Sequence, residues 1–251
     1  MSMNGIITID GLDGSGKETL AKEVVRLLNE DYNAEYKAFP DYYNKTGELI
    51  KKYLGGEIPL LNKIPYLRKP YIMSELFILN RYEYFSSENL NLELDKNIYV
   101  FDRYWISNVL YQAHGMSTEQ IAQFIGWLAE MEFNYYKNPA PSFSVFLRVP
   151  YSVLRDRLAF RTINKNGQKN DIYEEDNFLK TTYHVSEELI KCPNEFGNCF
   201  NLILDGWDFE NQSPYPVEYL ARIIVESFKA WQKDKDKEAV KEANNGGGID
   251  E

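Results

Sequence analysis

The sequence predicts an α/β protein of three layers, a five-stranded parallel sheet flanked by helices. Three observations carry this expectation. Five short β-branched or apolar runs recur along the 251 residues, long stretches of helical periodicity separate them, and a glycine-rich connection leads from the first run into the first helix.

Taken in order, the runs fall at residues 5–9 (Gly-Ile-Ile-Thr-Ile), 34–39, 97–101 (Asn-Ile-Tyr-Val-Phe), 144–149 (Ser-Val-Phe-Leu-Arg-Val) and 200–204. Each is short, rich in β-branched or aromatic residues, and reads as a buried strand. The periodic stretches between them predict helices over 17–29, 70–85, 117–137, 151–161, 176–191 and 217–232. Ser117 and Gln120 stand in the positions of a capping box, and Pro150 stands at the entry to the following helix. Neither an internal repeat nor a linker divides the chain, so residues 1–232 read as one domain. From Lys233 on, Lys-Asp-Lys-Asp-Lys-Glu and then Asn-Asn-Gly-Gly-Gly offer no apolar face, and 233–251 is expected to be a frayed, disordered acidic tail.

The 28 Lys and Arg against 38 Asp and Glu leave a net charge of -10. Such a surface repels nucleic acid and anionic membranes, so small molecules or other proteins are the expected partners. The first eleven residues lack the basic flank and apolar stretch of a signal peptide, and no apolar run reaches about 18 residues. A cytoplasmic protein is expected. Cys192 and Cys199 sit in a polar connection without a histidine to complete a metal set, and read as two free thiols.

Gly11-Leu12-Asp13-Gly14-Ser15-Gly16-Lys17 follows the first strand and opens the first helix, the context a phosphate-binding loop requires. Gly11, Gly14 and Gly16 let the backbone amides, including that of Ser15, turn inward around phosphate oxygens. The helix N-terminus adds a positive dipole end, and Lys17 reaches the β- and γ-phosphates of ATP. One position departs from the pattern: Glu18 replaces the usual hydroxyl residue, and Thr19 comes one place late. Either Glu18, Thr19 or water replaces that ligand to Mg2+, or Glu18 is merely an exposed acid favoured by the dipole in the first turn. Asp102 is a further candidate metal contact.

At the carboxyl end of the third strand stands Asp102-Arg103-Tyr104-Trp105-Ile106-Ser107-Asn108-Val109-Leu110-Tyr111-Gln112, where α/β sheets place their ligands. Upstream, Phe77 and Arg81 are i and i+4 on one helix face: a ring and a planar guanidinium so placed can address one base together, although the pair taken alone reads more often as a packed ring beside a solvated charge.

These motifs resemble the thymidylate kinases, P-loop enzymes that phosphorylate dTMP. The resemblance runs from about Gly5 to Tyr183, and less closely to Trp231. It rests on Gly11 to Lys17, Phe39-Pro40-Asp41-Tyr42, Leu76 to Glu83, and above all the D-R-Y-x-x-S-x-x-x-Y-Q pattern from Asp102 to Gln112. It implies the P-loop kinase fold with a helical lid, and a dTMP site of Asp13, Phe39, Tyr42, Phe77, Arg81, Arg103, Ser107, Asn108, Tyr111 and Gln112. Within it, Phe77 stacks on thymine, Arg81 bonds its exocyclic oxygen, and Ser107 or Asn108 lies near the ring edge. Arg103 holds the acceptor phosphate, Asp13 lies between that phosphate and the 3'-hydroxyl, and Tyr111 packs beneath the sugar.

Residues 155–175 look like the family's lid, with Arg157 and Arg161, and beyond them Lys165 and Lys169, as cations for a transition state of spread charge. Lys17, Asp13, Arg103, Arg157 and Arg161 are the expected catalytic set. The resemblance also implies a homodimer, with 123–136 as a plausible face. The expected reaction is ATP plus dTMP giving ADP plus dTDP, with Mg2+ as cofactor. The alternatives are a kinase for a deoxynucleoside or for another deoxynucleotide, 5-modified ones included, and a catalytically silent nucleotide-binding protein.

Overall fold

The computed structural model describes residues 5–59, 63–65, 68–86, 96–164, 176–191 and 196–245. Five parallel strands, β1 (Gly5–Gly11), β2 (Ala34–Ala38), β3 (Ile98–Asp102), β4 (Phe143–Arg148) and β5 (Leu202–Asp205), pair in the order β2-β3-β1-β4-β5. β1 and β3 carry almost continuous runs of buried residues because helices cover both faces, and an alternating pattern would leave polar groups in the core. Around the sheet lie α1 (Lys17–Leu28), α2 (Lys45–Leu54), α3 (Lys69–Phe85), α4 (Ile106–Gln112), α5 (Thr118–Ala129), α6 (Tyr151–Asn164), α7 (Asp176–Lys191) and α8 (Val217–Asn245).

α1 packs on α8, and Leu20, Val24 and Leu28 of the one join Ala221, Ile224 and Phe228 of the other in the main core. A second cluster, Ile6, Phe39, Phe85, Tyr99, Phe101 and Tyr104, is almost wholly aromatic. Phe39 meets Phe101 edge to face with centroids 5.3 Å apart, the geometry the ring quadrupoles favour. This cluster anchors the ends of β2 and β3, from which the acceptor side is built.

Three sequence expectations need correction. The helix expected over 117–137 is α-helical only to Ala129; Glu130–Tyr135 is π-helical, with Tyr136 N donating to Met131 O five residues back at 2.9 Å. The wider turn accompanies a demand that periodicity does not register, the burial of Glu132 against two polar partners. The last helix does not stop at Gln232, and the tail expected to fray from Lys233 continues helical to Asn245. Pairs three residues apart, Lys237 with Asp234 and Lys235 with Glu238, support this solvent-facing extension in place of an apolar face. The short α2 and α4 and the two-stranded ribbon β6 (Trp207–Asp208) and β7 (Ser213–Pro214) were not expected.

The other expected elements are present with ends shifted by at most three residues; β5, for instance, begins at Leu202 rather than 200, and α6 ends at Asn164 rather than 161. Of the lid region, residues up to Asn164 are helix α6, whereas Lys165 and Lys169 lie outside the described residues, as does Cys192. Cys199 is a free thiol that donates to Phe196 O at 2.9 Å, and burial pushes it up to about 11, so it is not a reactive thiolate. Among the described residues, no helix is long and apolar enough to cross a membrane.

Candidate active site

The loop between β1 and α1 turns on two glycines in left-handed backbone, Gly14 at φ 85 and Gly16 at φ 94. A side chain at either position would be strained, so glycine is required for the curl that aims the first amides of α1 into the loop. Lys17 lies across the loop, 7% exposed, with Nζ donating to Leu12 O at 3.2 Å and 3.7 Å from Asp13 Oδ1. Burial lowers Lys17 to about 8, and Arg103 pushes the same way against the pull of Asp13, Asp102 and Asp10. From α6, Arg157 Nη1 donates to the carbonyls of Gly14 (2.9 Å) and Ser15 (3.3 Å). The exposed Arg161 lies one turn further along the same helix.

Directly beside this loop, β3 ends in a turn that holds Arg103 in left-handed backbone, φ 68, with its amide bonded to Ile9 O at 3.0 Å. The next amide, of Tyr104, donates to Asp10 Oδ1, and so does Ser107 Oγ, at 3.3 and 2.5 Å. Two of the buried carboxylate's bonds thus brace a backbone conformation that side-chain-bearing residues avoid. The turn brings the Arg103 Nη2 onto Asp13 Oδ1, while Tyr111 donates its hydroxyl to Asp13 Oδ2 at 3.0 Å. Burial would raise the Asp13 carboxyl, but Arg103, Lys17 and the Tyr111 bond outweigh it and hold Asp13 at about 2. At neutral pH it is an acceptor only.

A cavity opens from this point. Its lining brings together Asp13, Phe39, Tyr42, Phe77, Arg81, Arg103, Ser107, Asn108, Tyr111 and Gln112, the ten residues that the family resemblance grouped, and adds Pro40, Leu54 and Tyr104. Asn108 Nδ2 is buried there with no partner among the described residues, a donor that a ligand would satisfy. Ser107 is turned toward Asp10 instead, which leaves Asn108 as the stronger candidate for the ring edge.

Arg81 carries the largest surprise. Its Nε and Nη2 form a fork with Glu132 at 2.6 and 2.8 Å, and both side chains are at most 3% exposed. Asn138 Nδ2 donates to the same Glu132 Oε1 at 2.9 Å. Burial would weaken the Arg81 charge, but Glu132 reverses that and raises it above the ordinary arginine value. Glu132 escaped the sequence reading although a signal was there: four residues after Leu128 it continues the stripe Ile121, Phe124, Ile125, Leu128, and an acid on an apolar stripe needs a buried partner.

The metal candidates separate clearly. Glu18 is exposed and its carboxylate accepts from Lys22 Nζ at 2.6 Å, the geometry of a first-turn acid rather than of a ligand. Thr19 is exposed as well. Asp102 is buried, with Oδ1 lacking a partner and Oδ2 3.4 Å from the Tyr36 hydroxyl. No group of three or more His, Cys, Asp or Glu is gathered for a metal among the described residues. Glu18→Gln is therefore expected to leave the magnesium dependence of turnover unchanged and to cost at most about 1 kcal/mol of stability, the scale of an exposed pair. A higher magnesium requirement in a titration at saturating nucleotides would restore Glu18 as a ligand.

A phosphate loop at the end of one central strand, meeting a polar and aromatic cavity at the end of its neighbour, defines a P-loop kinase. The family model for thymidylate kinase matches residues 9–197, and the chain belongs to the thymidylate kinase family. It is 30% identical over 193 residues to a probable thymidylate kinase of Methanococcus vannielii, covering 76% of this chain and 81% of that one. It is 27% identical over 173 residues to the thymidylate kinase of Mycobacterium tuberculosis, covering 68% and 78% of the two chains. The solved thymidylate kinase of Candida albicans shares the fold, with a TM-score of 0.58 at 23% identity over 92% of this chain and 95% of that one.

Proposed function

We propose that this kinase transfers the γ-phosphoryl group of ATP to dTMP, with the site residues in the roles their positions suggest. The observation that carries the reading is that Asp13 belongs to both halves: it is part of the phosphate loop, contacts Lys17, and lines the acceptor cavity with Arg103. Donor and acceptor phosphates entering from the two sides meet at this cluster. The acceptor needs no general base, because a phosphate monoester is largely dianionic at neutral pH. The protein's contribution is positioning and cationic stabilisation.

Lys17 and the α1 amides hold the donor phosphates, and Arg103 holds the acceptor phosphate. Arg157 and Arg161, on α6, supply the lid cations. Asp13, fixed by Arg103 and Tyr111, accepts the sugar 3'-hydroxyl. Phe77 stacks on the base, and Arg81 and Asn108 address its polar edge. The unpartnered Asp102 Oδ1 fits Mg2+, which keeps most of its waters and takes phosphate oxygens, so one buried carboxylate suffices on the protein side. Mg2+ bound there would neutralise charge on the transferring phosphates.

Ile72, Leu79 and Tyr82 on α3 and Tyr135 in the π-helical stretch are large exposed apolar groups on adjoining elements, and they support a homodimer through this face. A cytoplasmic location is part of the same reading. A coupled assay across dTMP, thymidine and the other deoxynucleoside monophosphates tests it: turnover of dTMP alone supports the assignment. Preference for thymidine would replace it with a nucleoside kinase, and no turnover of any of them would leave a silent nucleotide-binding protein.

The low Lys17 value fixes a pH dependence. Its charged form is present below about 8 and lost as pH rises through that value in the nucleotide-free enzyme. kcat/KM for ATP, which reports the free enzyme, is expected to be level below this pH and to fall above it. A value of kcat/KM unchanged well above that pH would show that Lys17 stays charged or is not needed.

A further inference from the structure

We propose that Glu132 is a positioning residue that sets both the direction in which the acceptor nucleotide binds and the preference for its base, acting through Arg81. The inference deepens the thymidylate kinase reading and rests on it.

Three observations lead there. First, the Arg81–Glu132 fork is bidentate and both side chains are at most 3% exposed, whereas an arginine that served only to touch a base would need no acid in the core. Second, Glu132 is itself held: Asn138 Nδ2 bonds its Oε1, the Asn138 amide bonds its carbonyl at 2.9 Å, and the same Asn138 side chain reaches Ile78 O on α3 at 3.4 Å. Third, the helix carrying Glu132 is π-helical over Glu130–Tyr135, a departure that tends to mark functional sites.

The chemistry follows from counting donors. A guanidinium has five N-H groups and no acceptor. Glu132 takes Nε and one hydrogen of Nη2, and the face of Tyr104, 5.5 Å from Cζ, restricts the plane on one side. Nη1 has no hydrogen-bond partner among the described residues, and Arg81 lines the cavity, so a donor is offered in a fixed direction. A keto oxygen such as thymine O4 matches that donor, while the amino group of cytosine presents hydrogen to hydrogen.

Charge gives the second consequence. An unpaired buried arginine is a phosphate site, but paired one to one with Glu132 it is electrically neutral. Elsewhere in the lining, Arg103 contacts Asp13, which Lys17 also contacts, so two cations share that carboxylate directly while Asp102 and Asp10 act on Lys17 from further off. The phosphate is therefore drawn to Arg103, and the neutral base to Arg81. Glu132 makes the two arginines of one cavity chemically different.

Steady-state kinetics of Glu132→Gln and Glu132→Asp with dTMP, dCMP and ATP test this. The loss of one aimed, charge-assisted bond is expected to raise KM for dTMP about tenfold to a hundredfold and to lower the dTMP over dCMP preference by a similar factor. KM for ATP is expected to change less than about twofold, since neither residue touches the donor side. Should Glu132→Gln fail to fold, Glu132→Asp, which keeps the charge and withdraws it by one methylene, decides by the same criteria. An unchanged base preference in a folded variant overturns the proposal, as does a rise of both KM values together, the mark of a general structural defect. Wild-type enzyme that is inactive on dTMP would instead overturn the thymidylate kinase reading, and wild-type turnover with indifferent Glu132 variants would overturn this inference alone.

Discussion

Lys17→Ala is expected to fold and to lose at least about a hundredfold in kcat, the scale of one strong electrostatic contact to a transition state. The loop conformation depends on the left-handed Gly14 and Gly16 and on the Ser15 amide bond to Leu12 O at 3.1 Å, and that carbonyl keeps the amide donor when its second donor, Lys17 Nζ, is removed. Lys17 is moreover an ammonium whose charge burial disfavours, lowering it to about 8. Its removal therefore costs the fold little, and lost turnover is lost chemistry. Circular dichroism beside single-turnover rates checks both halves, and near-normal rates in a folded variant would overturn the phosphate-loop assignment.

Arg81→Ala is expected to be the most destabilising of the substitutions in the acceptor cavity. It leaves the Glu132 carboxylate, 0% exposed, without its charged partner, a change that typically costs about 3–5 kcal/mol. In the fraction that folds, KM for dTMP is expected to rise about tenfold or more while KM for ATP holds, since one charged hydrogen bond to the base is gone. Urea denaturation and kinetics on the same preparation separate the two effects. A variant as stable as the wild type would mean that the Arg81–Glu132 fork contributes nothing to the fold, and equal shifts in both KM values would move Arg81 out of the acceptor pocket.

What the sequence makes legible here follows from how local the signal is. Strands buried on both faces announce themselves as runs of Ile, Val, Phe and Tyr, and β1, β3 and β4 are found close to where those runs lie. The phosphate loop is a contiguous pattern that needs no partner from elsewhere. The cavity was legible for a different reason: its ten grouped residues come from four short segments whose patterns resemble one family, and the resemblance supplied the spatial grouping that spacing alone does not.

The features that escaped depend on distant partners. α2 exists because Asn44 caps it, accepting from Gly47 N at 2.8 Å, and because Asn80 and Glu83 of α3 tie down the residues at its start. Gly47 is needed there because a Cβ would come within 1.9 Å of Asp41 O, a contact created only by the folded chain. Glu132 is the same case in the core: it reads as a defect on an apolar stripe until Arg81, 51 residues earlier, is beside it. The helical continuation past Lys233 was missed because its support is charge pairing rather than burial.

The pairing of β1 with β3 has one more consequence. The donor loop leaves the end of β1 and the acceptor turn leaves the end of β3; Ile9 is in register with Asp102, and the ladder runs one bond further, from Arg103 N to Ile9 O. Adjacent strands stand about 4.8 Å apart and cannot stretch without breaking that ladder. The sheet is thus a ruler: it holds the gap across which a phosphoryl group must travel, independently of the loops and helices that decide which nucleotide is held. Evolution can then exchange the reader of the base, on α3 and the π-helical stretch, without resetting the distance over which the reaction happens.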